Sequence, residues 1–261
     1  MRIAQTNTAG LLWMEAVRSR WSLRRAAGES RWQLAVHMAS WVRLFVRQTR
    51  WLRAVDAREI LRRAAQADPR LYERWHRPYI STHFDIDTRR RIVGSHYAFL
   101  MQRFPARLCE RIVLGGGVRV ATLRLEDASE AYLHLRKPSR GDAGELNLLL
   151  LTGDKQVLAS CTLTFDRGDS VIIGAVHGAG IHTPFEATRE FMQGSHGLHP
   201  KDLLVSLVRE LAVLLGLKRI RAVAAPASVA SVQEDGADTF WREQGGVPAD
   251  SGCHELPLSL L

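Results

Sequence analysis

The sequence predicts an α+β fold: a mixed, mostly antiparallel sheet with flanking helices, preceded by an all-helical N-terminal extension. Three observations predict it. Apolar residues recur at helical spacing through most of the first hundred positions, the period falls to two between Val118 and Val176, and helix and strand then alternate to the C-terminus. With 261 residues and 46% hydrophobic content the chain can bury a sizeable core. The change of period divides it into a helical region, 1–104, and an α+β domain, 105–261.

Residues 10–66 read as helices, with breaks near residues 28–30 and 49–50. Trp32, Val36, Trp41, Leu44 and Phe45 fall near helical spacing with Arg31, Arg43 and Arg47 among them. Charge is unevenly placed. Residues 1–110 hold 21 Arg, no Lys and nine acidic residues, a net +12, so the remainder of a +9 chain sums to −3. Six of the seven tryptophans also precede residue 76. Arginine with tryptophan on an amphipathic helix suits an anionic membrane surface, contacted through residues 10–66. The same pattern suits a bundle whose arginine stems cover apolar surface. Nucleic acid is the weakest partner, because no aromatic strand motif accompanies the arginines. No run approaches the ~20 apolar residues that span a bilayer, and residues 1–12 lack the pattern of a signal peptide. Three widely spaced cysteines fit a reducing compartment. The expectation is a cytoplasmic protein, with peripheral contact at the inner membrane through its basic helices.

Asp68-Pro69 restarts the chain into a short helix that Arg77-Pro78 ends. Asp87 or Thr88 is the expected cap of the next helix, which Pro105 closes. Its apolar stripe, Ile92, His96, Phe99, Leu100 and Phe104, places His96 near a buried face as a hydrogen-bonded core residue. Alternation then marks strands at 118–125, 131–135, 146–151, 157–165 and 171–176, joined by the turn compositions Gly153-Asp154 and Arg167-Gly168-Asp169. The run 148–151 is apolar on both faces and so central in the sheet. A helix at 184–192 and a longer one from Pro200 follow. The longer helix has a stripe of Leu203, Leu204, Leu207, Val208, Leu211, Leu214 and Leu215, and Gly216 stops it. A buried strand begins at Ile220. A short helix, 237–244, ends at Gly245-Gly246, and Pro257 places the last strand, 254–258, at an edge.

The N-terminus of the helix at Pro200 offers amide N–H groups beside Lys201, a geometry that suits a phosphate. His196, Gly197, His199 and Lys201 are therefore the candidate cofactor-binding residues. His177 and His182 flank a Gly178-Ala179-Gly180 turn directly after a core strand and are the candidate bases, with Glu190 one helical turn or two beyond. No pair of His or Cys has metal-ligand spacing, so no metal is expected. There is no Walker motif. Gly115-Gly116-Gly117 precedes a strand instead of linking strand to helix, and Gly-x-Ser-x-Gly is absent.

The order of antiparallel strands, helix, strand, short aromatic helix, glycine turn and last strand resembles the GCN-five-related N-acetyltransferase fold. That resemblance implies a coenzyme A pyrophosphate at the helix after the meander, and a strand splayed beside the pantetheine arm. Phe240-Trp241-Arg242-Glu243-Gln244-Gly245-Gly246 resembles the fold's aromatic helix and glycine turn. A closer resemblance, to the VirK/YbjX family, covers the chain from about residue 70. Its motifs are R-I-V-G-S-H-Y-A-F-L (91–100), L-A-S-C-T-L-T-F (158–165), I-I-G-A-V-H-G (172–178), H-G-L-H-P-K-D-L-L (196–204), L-G-L-K-R-I-R-A-V (215–223) and F-W-R-E-Q-G-G (240–246). It implies a link to the bacterial envelope, through virulence, surface-protein localisation and tolerance of antimicrobial peptides, without a settled activity. The chain departs from the family's Ser-Asn pair after Val223, where Ala224-Ala225 stands, and from its arginine before Pro200, where His199 stands. The resulting expectation is transfer of an acyl or aminoacyl group from a thioester or similar donor, coenzyme A thioester being the expected cofactor, to a small-molecule or peptide amine in an envelope or specialised-metabolite pathway. A non-catalytic, envelope-associated factor that binds the inner membrane surface through its basic helices is the alternative, and a nucleic-acid-binding module is the second.

Overall fold

In the computed structural model of the chain, residues 44–139, 141–180, 183–230 and 236–259 are described, with Met14, Val17, Arg18, Trp21 and Ser22 before them. The predicted break at 28–30 and the stripe residues Trp32, Val36 and Trp41 lie outside this set. The chain divides between Arg74 and Trp75 into two compact units.

In the first unit, α1 (Phe45–Asp56) and α2 (Glu59–Ala67) bury Trp51, Leu52 and Val55 and Leu61, Ala64 and Ala65 respectively. The expected break at 49–50 is absent. The Thr49 hydroxyl donates back to the Phe45 carbonyl at 2.8 Å, which satisfies it within the helix. The helix ends instead at Asp56, and Arg58, with an extended backbone (φ −127°, ψ 113°), separates it from α2. Gln48 Nε2 donates to the Tyr72 carbonyl and Trp51 Nε1 to the Leu71 carbonyl, tying the 3₁₀ segment after Asp68 to α1. Trp51 is thus a packed residue with a satisfied indole.

The second unit opens its helical part with α3 (Ile86–Arg103) and α4 (Ala106–Val113), followed by the strands of one sheet. Asp85 caps α3, its carboxylate accepting from the Thr88 N–H at 2.7 Å. Thr88, an expected cap, is the donor in that bond. Helix α4, which buries Cys109, Ile112 and Val113, was not apparent in the sequence pattern.

Five strands form an antiparallel meander: β1 (Val118–Arg124), β2 (Glu130–Arg136), β3 (Leu146–Thr152), β4 (Val157–Asp166) and β5 (Ser170–His177). Two helices, α5 (Phe185–Gly194) and α6 (Pro200–Leu214), then carry the chain to β6 (Arg219–Val223), which pairs parallel to β5. After α7 (Ala237–Glu243), β7 (Val247–Ala249) and β8 (Cys253–Leu256) complete the sheet in the order β1-β2-β3-β4-β5-β6-β8-β7. The fold is mixed α+β with a mostly antiparallel sheet. Strand β8 lies between β6 and β7 and is not the edge. Pro257 falls just past it, and the edge is the three-residue β7, with Pro248 in it.

Consecutive residues of a strand point to opposite faces, and positions 146–151 of β3 are all buried, as are 170–175 of β5. Both faces of the sheet centre are therefore covered. Helices α3 and α6 both pack on β4, and α6 extends over β3, β5 and β6. The buried stripe of α6 is Leu204, Val205, Val208 and Ala212, turned from the leucine stripe read in the sequence. Small Ala212 allows close approach to the sheet, and Leu214 is 81% exposed. Arg209 joins the buried face because Gln244 and the Pro257 carbonyl accept from its guanidinium. At Gly174 the β2–β3 connection crosses β5 so closely that a Cβ would stand 1.8 Å from the Ala143 carbonyl oxygen. No described helix is long and apolar enough to cross a membrane.

Candidate functional site

The parallel pair β5/β6 is hydrogen-bonded from Ser170↔Arg219 to Ile173↔Ala222. Strand β5 then continues through residues 174–177, while β6 ends at Val223 and turns into a 3₁₀ segment, Ala225–Ala227. The pair is open at its C-terminal ends. Every second backbone N–H and C=O of residues 174–177 points away from β4, with no β6 partner in the ladder.

His177 stands at this open end, paired across β4 with Ser160. Its imidazole is half-buried and has no hydrogen-bond partner among the described residues. Glu190 is exposed on α5 and makes no ion pair among them. His182 lies outside the described residues. His196 and Gly197 come together in the turn between α5 and α6, both in the left-handed region (φ 57° and 83°). With Phe185, Arg189 and Met192 of α5 they line an open, largely apolar trough of about 510 Å³. His196 Nε2 lies 3.2 Å from Glu126 Oε1 at the surface. His199 is the exposed N-cap residue of α6 and makes no side-chain cap bond. Lys201 Nζ sits 5.3 Å above the Phe240 ring. The Asp202 carboxylate in the same turn accepts from Gln244 Nε2 at 2.9 Å.

Helix α7 closes over the end of β6. Trp241 Nε1 donates to the Val223 carbonyl at 3.0 Å, and the Ala225 N–H donates to Asp238 Oδ1 at 2.8 Å. His254 Nε2 lies 3.4 Å from that same Asp238 oxygen. Ala224-Ala225 is held through its backbone, the Ala224 N–H donating to the Gly252 carbonyl at 2.9 Å.

A second cavity, of about 290 Å³, occupies the other face of β6. Ile220 and Ala222 are fully buried, and alternation sends Arg219 and Arg221 to the opposite side. Asp166, 1% exposed at the end of β4, lies at the cavity's floor. Its carboxylate accepts from Arg91 of α3, from Arg221 Nη2 at 3.0 Å, and from Ser95 Oγ at 3.3 Å. Arg219 forks onto Glu255 at 2.9 and 2.7 Å, which holds that carboxyl below its ordinary range. None of this is apparent in the sequence, where residues 167–169 read as a turn. The available signal was arginine at two alternate positions of an otherwise buried strand.

His96 is a core residue, as expected. Its Nδ1 accepts from the Phe165 N–H at 3.2 Å, and burial pushes its pKa down to about 3. Among the described residues no group of three or more His, Cys, Asp or Glu is placed to hold a metal ion.

A family model described as a protein of unknown function (DUF535) matches residues 28–261. The chain belongs to the DUF535 family. It is also 24% identical over 205 residues to an uncharacterized protein, YbjX, of Escherichia coli strain K12. That alignment covers 74% of this chain and 62% of the relative's length. Both findings agree with the VirK/YbjX resemblance of the sequence motifs, and the family match begins well before residue 70. No solved structure matches.

Proposed function

We propose that this DUF535 member has an acetyltransferase-like topology and transfers an acyl or aminoacyl group from a coenzyme A thioester to an amine. The observation that carries the reading is the parallel pair β5/β6 opening beyond Ile173↔Ala222, on the connection that leads to the N-terminus of α6. The unpaired backbone edge of residues 174–177 is suited to hydrogen-bond the amides of a pantetheine arm. The residues present fit such a group. The trough walled by Phe185 and Met192 accepts apolar atoms, and His196, Gly197 and Lys201 edge the α6 N-terminus, where first-turn amides favour phosphate. The bond from Gln244 to Asp202 offsets the one carboxylate in that turn that repels an anion.

The thioester supplies an activated carbonyl. The chain's own part is to hold the donor along β5, exclude water with α7 over the end of β6, and take the proton from the attacking amine. His177 at the open end is the base in this proposal: as the C–N bond forms the C–S bond breaks, and coenzyme A leaves as its thiol with the proton taken from the amine. Thermal stabilisation by coenzyme A or acetyl-coenzyme A, lost in Lys201→Ala, tests binding. Retained stabilisation with lost transfer in His177→Ala tests the base. Absence of any shift with either compound would overturn the reading.

A further inference from the structure

The cavity under Asp166 has a charge arrangement that ion pairing within the protein leaves incomplete. One carboxylate, Asp166, serves two guanidiniums, Arg91 and Arg221, and both of its oxygens are used. Arg221 Nε is buried and has no hydrogen-bond partner among the described residues. A buried donor of that kind costs stability unless something accepts from it. Glu255, which faces Arg221 across the β6–β8 ladder, is engaged by Arg219. The floor thus has one positive charge more than its carboxylate neutralises. Nearer solvent, Asp169 and Asp250 line the cavity together with Arg167 and Arg219, and although Arg219 attracts both aspartates neither makes a close ion pair among the described residues.

We propose that this cavity binds a small zwitterion, an amino acid or a molecule with an amino-acid head, carboxylate inward against Arg91 and Arg221 and ammonium outward toward Asp169 and Asp250. A guanidinium binds a carboxylate through paired N–H groups, and Arg221 has the Nε side of its fork unspent. The volume of about 290 Å³ equals roughly ten waters at ~30 Å³ each, which suits an amino acid and is small for a nucleotide. Ser170 and Thr88 add neutral polar groups to the lining. The site is on the face of β6 opposite α6, and the proposal does not depend on coenzyme A binding.

The test uses the full chain, with the twenty protein amino acids, propionate, inorganic phosphate and ATP as probes in thermal-shift and calorimetric titrations. At least one amino acid binds, more tightly than propionate, phosphate or ATP. Arg221→Gln weakens it about 10- to 100-fold, the worth of a charge-assisted hydrogen bond. Asp250→Asn, an exposed substitution that does not strain the fold, weakens the amino acid about two- to fivefold and leaves propionate unchanged or tighter. If Arg221→Gln unfolds, Asp250→Asn decides alone. Lys201→Ala leaves amino acid binding unchanged, which separates this site from the proposed coenzyme site. Binding of no amino acid, equal binding in the Arg221 and Asp250 variants, or preference for phosphate or ATP overturns the proposal.

Discussion

Asp166→Asn replaces the carboxylate between Arg91 and Arg221 by an amide of the same shape. Two guanidiniums then face a neutral group, and one of the amide's ends is a donor pointed at donors. Removing one partner of a buried pair costs about 3–5 kcal/mol. The side chains here are unequally buried, Arg91 32% exposed and Arg221 18%, so solvent screens part of the loss and about 3 kcal/mol is the expected size. In a unit the size of Trp75–Leu261, 1 kcal/mol moves Tm by roughly 2–4 °C, so the fall is about 6–12 °C. Scanning calorimetry measures it, with urea melts followed by circular dichroism as a second reading. Adding Arg221→Gln to Asp166→Asn relieves one of the two orphaned cations and recovers at least about 1 kcal/mol, a coupling that independent sites do not show. A drop of less than about 2 °C in Asp166→Asn would refute the reasoning, because the arginines would then have no need of the carboxylate.

Gly174→Ala places a methyl group where the Ala143 carbonyl stands, and it lowers stability by about 3 kcal/mol in the same melts; a neutral result means the connection can move aside at no cost. His96 has a folded pKa near 3 against about 6.5 unfolded, so the unfolded chain binds its proton first as pH falls. Its contribution is complete above about pH 6.5 and is lost progressively toward pH 3, at up to ~1.4 kcal/mol per pH unit. Urea melts across that window in His96→Leu show a slope shallower by one proton, and an unchanged slope counts against a neutral buried imidazole. All three thiols are buried, which raises each pKa, so a thiol reagent at neutral pH labels none in the native protein and three after denaturation. Rapid labelling of any one without unfolding contradicts that burial.

The meander was legible because β1 and β2 alternate and the apolar runs of β3, β4 and β5 are bounded by turn compositions, and its strands match the expected ranges closely. Pro200 and Gly216 marked both ends of α6 correctly. Short elements escaped. Strand β7 has only three residues and a proline, and the eight residues of α4 give barely two turns over which a period can be seen. The leucines of α6 misled because leucine occurs on both the buried and the marginal faces, while Ala212 and Arg209, which do pack inward, look unremarkable in sequence. Residue types pointed to His177, which ends β5, and to His196 and Gly197 in the turn before α6, and the latter two share one trough. The cavity under Asp166 was invisible because its charges come from separate segments. Arg91 lies 75 residues from Asp166, and Arg221 lies 55 from it. Each taken alone is indistinguishable from a solvated surface charge.

That separation also has a bearing on how the molecule is made. Strands β2 to β5 each pair with their immediate predecessor, so the meander can assemble as the chain leaves the ribosome, closing only short loops. Strand β6 is synthesised two helices later and must insert between β5 and a β8 that does not yet exist. Until it arrives, Asp166 meets water where Arg221 will lie. Docking of β6 therefore dehydrates a carboxylate and two guanidiniums in one event, late and at long range. If that step follows the folding barrier, losing Arg221 speeds unfolding more than it slows folding, and the two rates of Arg221→Gln against wild type test it.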